Sequence, residues 1–104
     1  MAIPDRGEVW LVDLGMAAKV RPALVLSVAL QPQDRALVTL VPHTTRVQGT
    51  RFEGVVPAPF LKSGAFNAQS LVTVPAVKLI RKIGILKAPE LVAIEIAVKR
   101  WLGL

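Results

Sequence analysis

The sequence predicts a mainly β protein in which a small, strongly bent antiparallel sheet or barrel is plugged by one C-terminal helix. Side chains alternate between two faces along residues 8–14, and short stretches rich in valine and leucine follow, separated by proline, glycine and polar residues. Near residue 91 the apolar spacing changes to that of a helix. A chain of 104 residues has the size of one domain, so we expect residues 1–104 to fold as a single unit.

The first strand is predicted over residues 8–14. There Val9 and Leu11 lie on one face and Trp10 and Val12 on the other, which is typical of a strand with at least one buried face. A hairpin partner for this strand is expected a short distance along the chain.

That partner is predicted over residues 23–30, which are apolar except for Ser27 and are typical of a central strand covered on both faces. Residues 15–20 lack periodicity and are expected to form the connecting loop. Arg21 lies where the second strand begins, at the mouth of an apolar hairpin.

Further short strands bring the predicted total to five or six. They are expected at residues 36–41, 52–56, 69–77 and 79–86. Pro42 should end the third strand, because proline cannot donate to a sheet ladder, and Pro75 should confine the fifth strand to an edge or a bulge. Residues 43–50 are polar and predict a loop rich in hydroxyl groups.

The C-terminal segment predicts one helix. Pro89 suits a first helical position, and Gly103 suits the residue just past the end. The predicted apolar stripe consists of Leu91, Ile94, Val98, Trp101 and Leu102.

Charge and composition narrow the classes of function. Thirteen Lys and Arg against seven Asp and Glu give a net charge of +6, which attracts polyanions such as nucleic acid or an acidic protein. A basic protein that is merely kept soluble by its charge has the same composition. Hydrophobic residues make up 53% of the chain, which favours a self-associating face.

Location and thiol chemistry are also constrained. There is no cysteine, hence no disulfide framework and no thiolate nucleophile. The N-terminus lacks the pattern of a secretory signal, and no apolar stretch reaches the roughly 18 residues that a membrane span needs. We expect a soluble, cytoplasmic protein.

The sequence predicts no metal and no cofactor, and its remaining polar residues still allow catalysis. Acidic residues are dispersed, there is one histidine, and no glycine-rich phosphate loop is present. Arginine, threonine and histidine near strand ends can still cleave RNA, because the substrate supplies its own nucleophile, the 2′-hydroxyl. Arg21 can grip a phosphate with its planar fork, and Thr44 can donate to a phosphoryl oxygen.

Several motifs resemble the MazF/PemK family of toxin ribonucleases. The most specific are residues 7–13 (GEVWLVD) and 21–27 (RPALVLS), taken in this order, with residues 41–45 (VPHTT) after them. Residues 69–72 and the tail at 98–104 resemble the later strand and the helical ending of the family. The resemblance therefore spans most of the chain.

This resemblance implies a small SH3-like barrel of the CcdB/PemK type that forms a homodimer. It implies metal-independent cutting of single-stranded RNA, restrained by a cognate antitoxin whose acidic, flexible tail covers the substrate groove. It also places the catalytic arginine of the family on Arg21 and the catalytic threonine on Thr44.

Three more residues are candidates for catalysis or support. His43 has a reference pKa that suits general acid or base work, but neighbours in an extended segment point in opposite directions, so it need not face the site of Thr44. Thr45 follows in the same motif, and both threonines could instead cap the loop backbone. Ser27 could orient Arg21 or could be a satisfied core hydroxyl.

Candidate RNA contacts lie around the same strands. Lys19 and Arg46 flank the proposed groove and could bind phosphates. Trp10 could offer a stacking face to a base, or could belong to the core.

Two departures from the family pattern keep alternatives open. The loop at residues 15–20 is shorter than in many relatives, and Pro75 and Ala76 stand where the family often carries an Asp-Gln pair. A catalytically inert barrel that binds only RNA or antitoxin is therefore one alternative. The other is a gyrase poison like the CcdB toxins, because these end in tryptophan and glycine and the chain ends in residues 101–104 (WLGL).

Overall fold

The computed structural model describes residues 3–15 and 20–104. These residues form seven strands and one α-helix, which confirms the predicted class of a mainly β fold with a C-terminal helix. The strands are β1 (Glu8–Asp13), β2 (Val20–Val25), β3 (Leu37–Thr44), β4 (Glu53–Gly54), β5 (Ala65–Asn67), β6 (Val72–Pro75) and β7 (Leu79–Ile85). The helix is α1 (Ala88–Leu102), and short 3-10 turns at Ala68–Ser70 and Ala76–Lys78 flank β6.

The sheet is antiparallel and bends around β3. The strand order is β4-β5-β3-β2-β1-β7, and β6 pairs with β3 outside this path. The first half of β3 pairs with β6 from Leu37 to Leu40, whereas its end pairs with β5 through His43 and Thr44. This change of partner within one strand gives a barrel-like shape, although in the described residues the path from β4 to β7 does not close.

Apolar side chains on the two faces of β1 and β2 form two clusters. Val9 and Leu24 join Phe66 and Ile94 in a cluster that receives the helix. On the other face, Trp10 and residues from β2, β3 and β6 form the second cluster. The alternation predicted for β1 is thus confirmed, and both of its faces contribute to the core.

The helix ends before Gly103 as predicted, but it begins at Ala88, so Pro89 is its second residue and not its first. The carboxylate of Glu90 accepts a hydrogen bond from the Lys87 backbone N–H at 2.8 Å. At the other end, Gly103 adopts a left-handed conformation with φ of 72°, and its N–H bonds to the Lys99 carbonyl. Among the described residues, no helix is long and apolar enough to cross a membrane.

The predicted apolar stripe of the helix is only partly buried. Ile94 and Val98 lie in the core as expected, but Trp101 and Leu102 are 43% and 49% exposed. The rings of Trp101 and Phe52 pack edge to face at a centroid distance of 5.3 Å. The prediction failed for the last turn because a helical period does not show where the sheet beneath the helix ends.

The second strand differs from its predicted span. It runs from Val20 to Val25 and includes Arg21, whereas residues 26–30 lie outside it. The Ser27 hydroxyl accepts the Thr39 N–H at 3.0 Å, so a side chain takes the place of a backbone acceptor and the ladder ends there. Of the predicted loop at 15–20, residues 16–19 lie outside the described part of the chain.

The prediction that Pro42 ends the third strand is wrong. β3 continues to Thr44, and Pro42 pairs with Ala23 of β2. On the other edge of β3, Pro42 falls between the segments paired with β6 and with β5, so the ladder on that edge needs no donor from it.

The strands after residue 50 are shorter than predicted, and one was missed. β4 has two residues, and β6 has four and ends at Pro75, as expected for a proline at a strand end. β5 occupies a stretch that the sequence analysis assigned to a connection. The segment predicted at 79–86 is confirmed as β7.

Candidate functional site

Two adjoining cavities open where β2 begins and β3 ends. The first has a volume of about 600 Å³, and the second about 230 Å³. Four residues line both cavities and so form the boundary between them: Arg21, His43, Thr44 and Arg46. The structure therefore brings the two residues predicted as catalytic, Arg21 and Thr44, into one site.

Strand register explains how Arg21 and Thr44 come together. Ala23 pairs with Pro42 in the β2–β3 ladder, and continuing this register by two residues sets Arg21 opposite Thr44. Both residues are half-buried, in contrast to the exposed Arg46. A rigid pair of strands thus places a guanidinium and a hydroxyl at the same point of the surface.

The Thr44 hydroxyl is oriented so that it can donate a hydrogen bond to a ligand. Its hydroxyl oxygen accepts the Arg46 backbone N–H at 3.0 Å. A threonine hydroxyl has one hydrogen to donate and two lone pairs, so this bond orients the group and leaves its hydrogen for an external acceptor. An anionic oxygen in the cavity is the natural partner for such a donor.

The charge around the first cavity is strongly positive. Its lining includes the cations Arg21, Arg46, Lys62 and Arg81 and, among the described residues, no acidic side chain. The rest of its wall is apolar or neutral: Leu11, Pro22, His43, Thr44, Thr45, Phe60, Leu61 and Ile83. This combination favours a ligand that carries both negative charge and apolar surface.

His43 lies beneath this surface. It is 5% exposed and meets the Phe66 ring edge-on, at a centroid distance of 5.0 Å. Burial lowers the pKa of His43 below its usual value of 6.5, since the charged imidazolium is poorly solvated there. The neutral ring is therefore favoured at pH 7.

The second cavity is polar and is bordered by the loop between β3 and β4. The Glu53 carboxylate accepts the backbone N–H groups of Gln48 at 3.0 Å and Thr50 at 2.7 Å. These bonds, first the one from Gln48, lower the pKa of Glu53. The carboxylate holds the loop that carries Arg46 and Gln48 to the cavity wall.

The other sequence candidates divide into two groups. Thr45 and Arg46 line the first cavity beside Arg21 and Thr44. Ser27 does not line either cavity, and its hydroxyl serves the backbone of β3 instead. Lys19 lies outside the described residues.

Trp10 belongs to the core, which is one of the two roles that the sequence left open for it. It was a candidate for stacking on RNA, but its ring is 6% exposed and belongs to the second core cluster. Because side chains alternate along β1, Leu11 faces the first cavity and Trp10 faces away from it. Its indole N–H donates to the Glu8 carboxylate at 3.0 Å.

Sequence reasoning missed part of the site wall. Phe60 and Lys62 lie in the connection between β4 and β5, which shows no period that predicts a site. Arg81 pairs with Leu11 across the β1–β7 ladder, so its place depends on a pairing between distant segments. Among residues 3–15 and 20–104, no three His, Cys, Asp or Glu side chains group as metal ligands would.

The fold is a bent antiparallel sheet with a C-terminal helix, and a cation-lined cavity lies at its strand ends. These features define a small barrel-like protein suited to binding a polyanion. Comparison with known proteins identifies its family. The family model of the PemK-like, MazF-like toxin of type II toxin-antitoxin system matches residues 5–102. The chain belongs to this PemK/MazF-like toxin family.

Solved structures of similar fold agree with this membership. A MazE–MazF crystal structure from Deinococcus radiodurans is 26% identical, with a TM-score of 0.84, over 100% of this chain and 99% of that one. The Mycobacterium tuberculosis toxin MazF-mt6 is 28% identical, with a TM-score of 0.80, over 93% and 97%. An endoribonuclease in complex with its cognate antitoxin, from a mycobacterial species, is 26% identical, with a TM-score of 0.84, over 97% and 96%.

Proposed function

We propose that this protein is the toxin of a type II toxin-antitoxin pair and a metal-independent endoribonuclease that cuts single-stranded messenger RNA. The 2′-hydroxyl of the RNA attacks the adjacent phosphate and the bond from phosphorus to the 5′-oxygen breaks, which leaves a 2′,3′-cyclic phosphate and a 5′-hydroxyl. Where a 3′-phosphate is found, water has opened the cyclic phosphate. The observation that carries this proposal is the meeting of Arg21 and Thr44 in a cavity lined by four cations. Family membership and the endoribonuclease among its structural relatives support it.

The residues supply charge stabilisation and orientation in this scheme. The Arg21 guanidinium binds the non-bridging phosphate oxygens and stabilises the more negative transition state. A guanidinium has N–H donors and no acceptor, so Arg21 stabilises charge in this scheme and does not act as a base. Thr44 donates a hydrogen bond from its hydroxyl to a phosphoryl oxygen. The hydroxyl is oriented by the bond that it accepts from the Arg46 backbone N–H.

In this scheme water accepts the proton of the 2′-hydroxyl, and water also supplies the proton that the departing 5′-oxygen takes up. His43 lines the cavity, but its lowered pKa makes it a weaker base, and its ring packs against Phe66. We assign His43 a structural role, which is to pack against Phe66 beneath the cavity surface. Thr45 and Arg46 add hydrogen-bonding and cationic contacts to the same RNA.

The proposed partners follow from the same surface. An acidic, flexible antitoxin tail would compete with RNA for the cations of the first cavity. A deinococcal MazF of this fold is found with MazE, and a mycobacterial endoribonuclease is found with its cognate antitoxin. We propose that this chain acts as a homodimer in the cytoplasm under the control of such an antitoxin.

The direct test is cleavage of a long single-stranded RNA in EDTA by the purified protein. Wild type should cut and leave the ends given above. Arg21→Ala and Thr44→Val should each lower the rate by about 100-fold or more, as for loss of one transition-state donor. Arg35→Ala and Thr73→Val are matched controls outside both cavities and should cut like wild type. Cleavage that requires metal, or full activity in Arg21→Ala, would refute the proposal.

One observation favours a second candidate, a gyrase poison. Trp101 and Leu102 are about half exposed and Leu104 is 86% exposed, so the tail is accessible to a partner. In a supercoiling assay this candidate predicts inhibition of gyrase that Leu104→Ser weakens, whereas the ribonuclease proposal predicts no effect of the wild type on gyrase.

A further inference from the structure

The first cavity has an apolar wall beside its cations. Phe60, Leu61 and Ile83 form this wall, and they line the same space as Arg21 and Arg81. A nucleotide presents a matching pair of surfaces, since its phosphate is anionic and the face of its base is apolar. Among the described residues that line the first cavity, Phe60 is the one aromatic side chain besides His43.

Phe60 is held in place by a close contact with β7. A Cβ atom at Gly84 would lie 2.5 Å from both Cε1 and Cζ of the Phe60 ring. Any side chain at position 84 would therefore displace the ring. The φ angle of Gly84 is outside the left-handed region, so space for the ring, and not backbone conformation, is what requires glycine here.

The ring is not simply a core side chain. It packs against the edge of the first core cluster, yet it is half-buried and lines the cavity. The backbone that carries it is a short turn in which the Leu61 N–H bonds to the Ala58 carbonyl at 3.0 Å. Pro57 precedes this turn and Pro59 lies within it. Such a turn presents the ring from a fixed backbone.

We propose that Phe60 is the stacking platform for an unpaired base next to the phosphate bound by Arg21, which rests on the proposed ribonuclease function. The cation binds the backbone of the RNA while the ring binds the neighbouring base through its π face. A base inside a duplex is already stacked on both sides and cannot lie on Phe60. The site therefore selects single-stranded RNA through this contact.

The experiment uses an RNA that contains the site cut by the wild type, with 2′-deoxyribose at the cut nucleotide so that it binds without reacting. Matched RNAs carry one abasic nucleotide on either side of the cut phosphate. Binding is measured to wild type, Phe60→Leu, Phe60→Trp and Gly84→Ala. Phe52→Leu is the control, since Phe52 also packs against the core but lies outside the first cavity.

We expect one abasic position to weaken binding to wild type by about 10- to 100-fold, which is the effect typical of one base–aromatic stack. Phe60→Leu should lose a similar factor with intact RNA and nothing further with the abasic RNA. Phe60→Trp should restore binding, because it restores a stacking face. Gly84→Ala should behave like Phe60→Leu although the ring is still present, and Phe52→Leu should bind like wild type.

Two outcomes would overturn this inference. One is unchanged binding of intact RNA by both Phe60→Leu and Gly84→Ala, and the other is an abasic penalty that persists in Phe60→Leu. Either result leaves the ribonuclease function intact, because cleavage by the wild type is scored separately. A wild type that neither binds nor cuts RNA would remove the proposed function and this inference together.

Discussion

Gly64 allows the chain entering β5 to approach the end of β3 that carries Thr44, and this close approach yields a quantitative prediction. A Cβ atom at position 64 would lie 2.2 Å from the Thr44 carbonyl oxygen and 2.7 Å from Cε1 of His43. Cβ contacts under 3.0 Å are essentially never found in proteins. In Gly64→Ala the first distance must therefore grow by about 0.8 Å, and the atom that has to yield belongs to the backbone of Thr44.

The size of the effect follows from this displacement. Overpacking of this kind costs about 1–3 kcal/mol of stability. A shift of about 1 Å at a reacting group can lower a rate about 100-fold, because orientation is lost. Gly64→Ala should therefore cleave RNA more slowly than its loss of folding stability alone would explain.

Gly54→Ala provides the matched control. A Cβ atom there would lie 2.9 Å from Cγ1 of Ile94, so the strain falls on a core side chain of the helix and not on β3. Both variants should show a lower free energy of unfolding in urea. Single-turnover RNA cleavage, measured where each variant is fully folded, should be near wild type for Gly54→Ala and about 100-fold slower for Gly64→Ala. Equal cleavage rates in the two variants would refute the reasoning.

Three further predictions concern His43, Ser27 and Glu53. Burial lowers the pKa of His43, so between the folded and the unfolded pKa the unfolded chain binds a proton that the folded chain does not. The contribution of His43 to the free energy of unfolding should therefore be fully present above pH 6.5 and be lost as the pH drops below it. Urea titrations should show this slope in wild type and a smaller one in His43→Gln, and equal slopes would contradict the assignment. Ser27→Ala should lose about 1 kcal/mol of stability with unchanged cleavage, since its hydroxyl serves the backbone; a selective loss of cleavage would instead make Ser27 part of the site. Glu53→Gln should speed hydrogen exchange at the Gln48 backbone amide, as followed by NMR, whereas the control Glu90→Gln should leave that exchange rate unchanged. An unchanged exchange rate at Gln48 in Glu53→Gln would show that the carboxylate does not hold the loop.

Local sequence patterns predicted the elements whose period is clear. The alternation around Val9 and Trp10 gave β1, and the spacing from Leu91 to Val98 gave the helix together with its glycine end. They failed where long-range pairing decides the structure. Pro42 reads as a strand end, but it lies at a point of β3 where neighbouring strands change and no donor is needed.

The candidate site likewise contains some residues that local sequence patterns predicted and others that depend on long-range contacts. Arg21 and Thr44 were assigned from motifs, and the strand register explains why they meet. Trp10 was ambiguous from sequence, because a buried and a stacking tryptophan look alike until the facing side of β1 is known. Phe60 and Arg81 could not be predicted, since they reach the cavity through contacts between segments far apart in sequence.

The most direct test of the central claim is to replace a single 2′-hydroxyl of the RNA, at the nucleotide the wild type cuts, by hydrogen. The substituted RNA is incubated with wild-type protein in EDTA, and its products and binding are compared with those of the unmodified RNA. We predict that cleavage at this position is abolished while binding changes little, and that the unmodified RNA gives a cyclic phosphate or 3′-phosphate with a 5′-hydroxyl. Continued cleavage of the deoxy-substituted RNA at the same bond would contradict an attack by the 2′-hydroxyl in the site of Arg21 and Thr44.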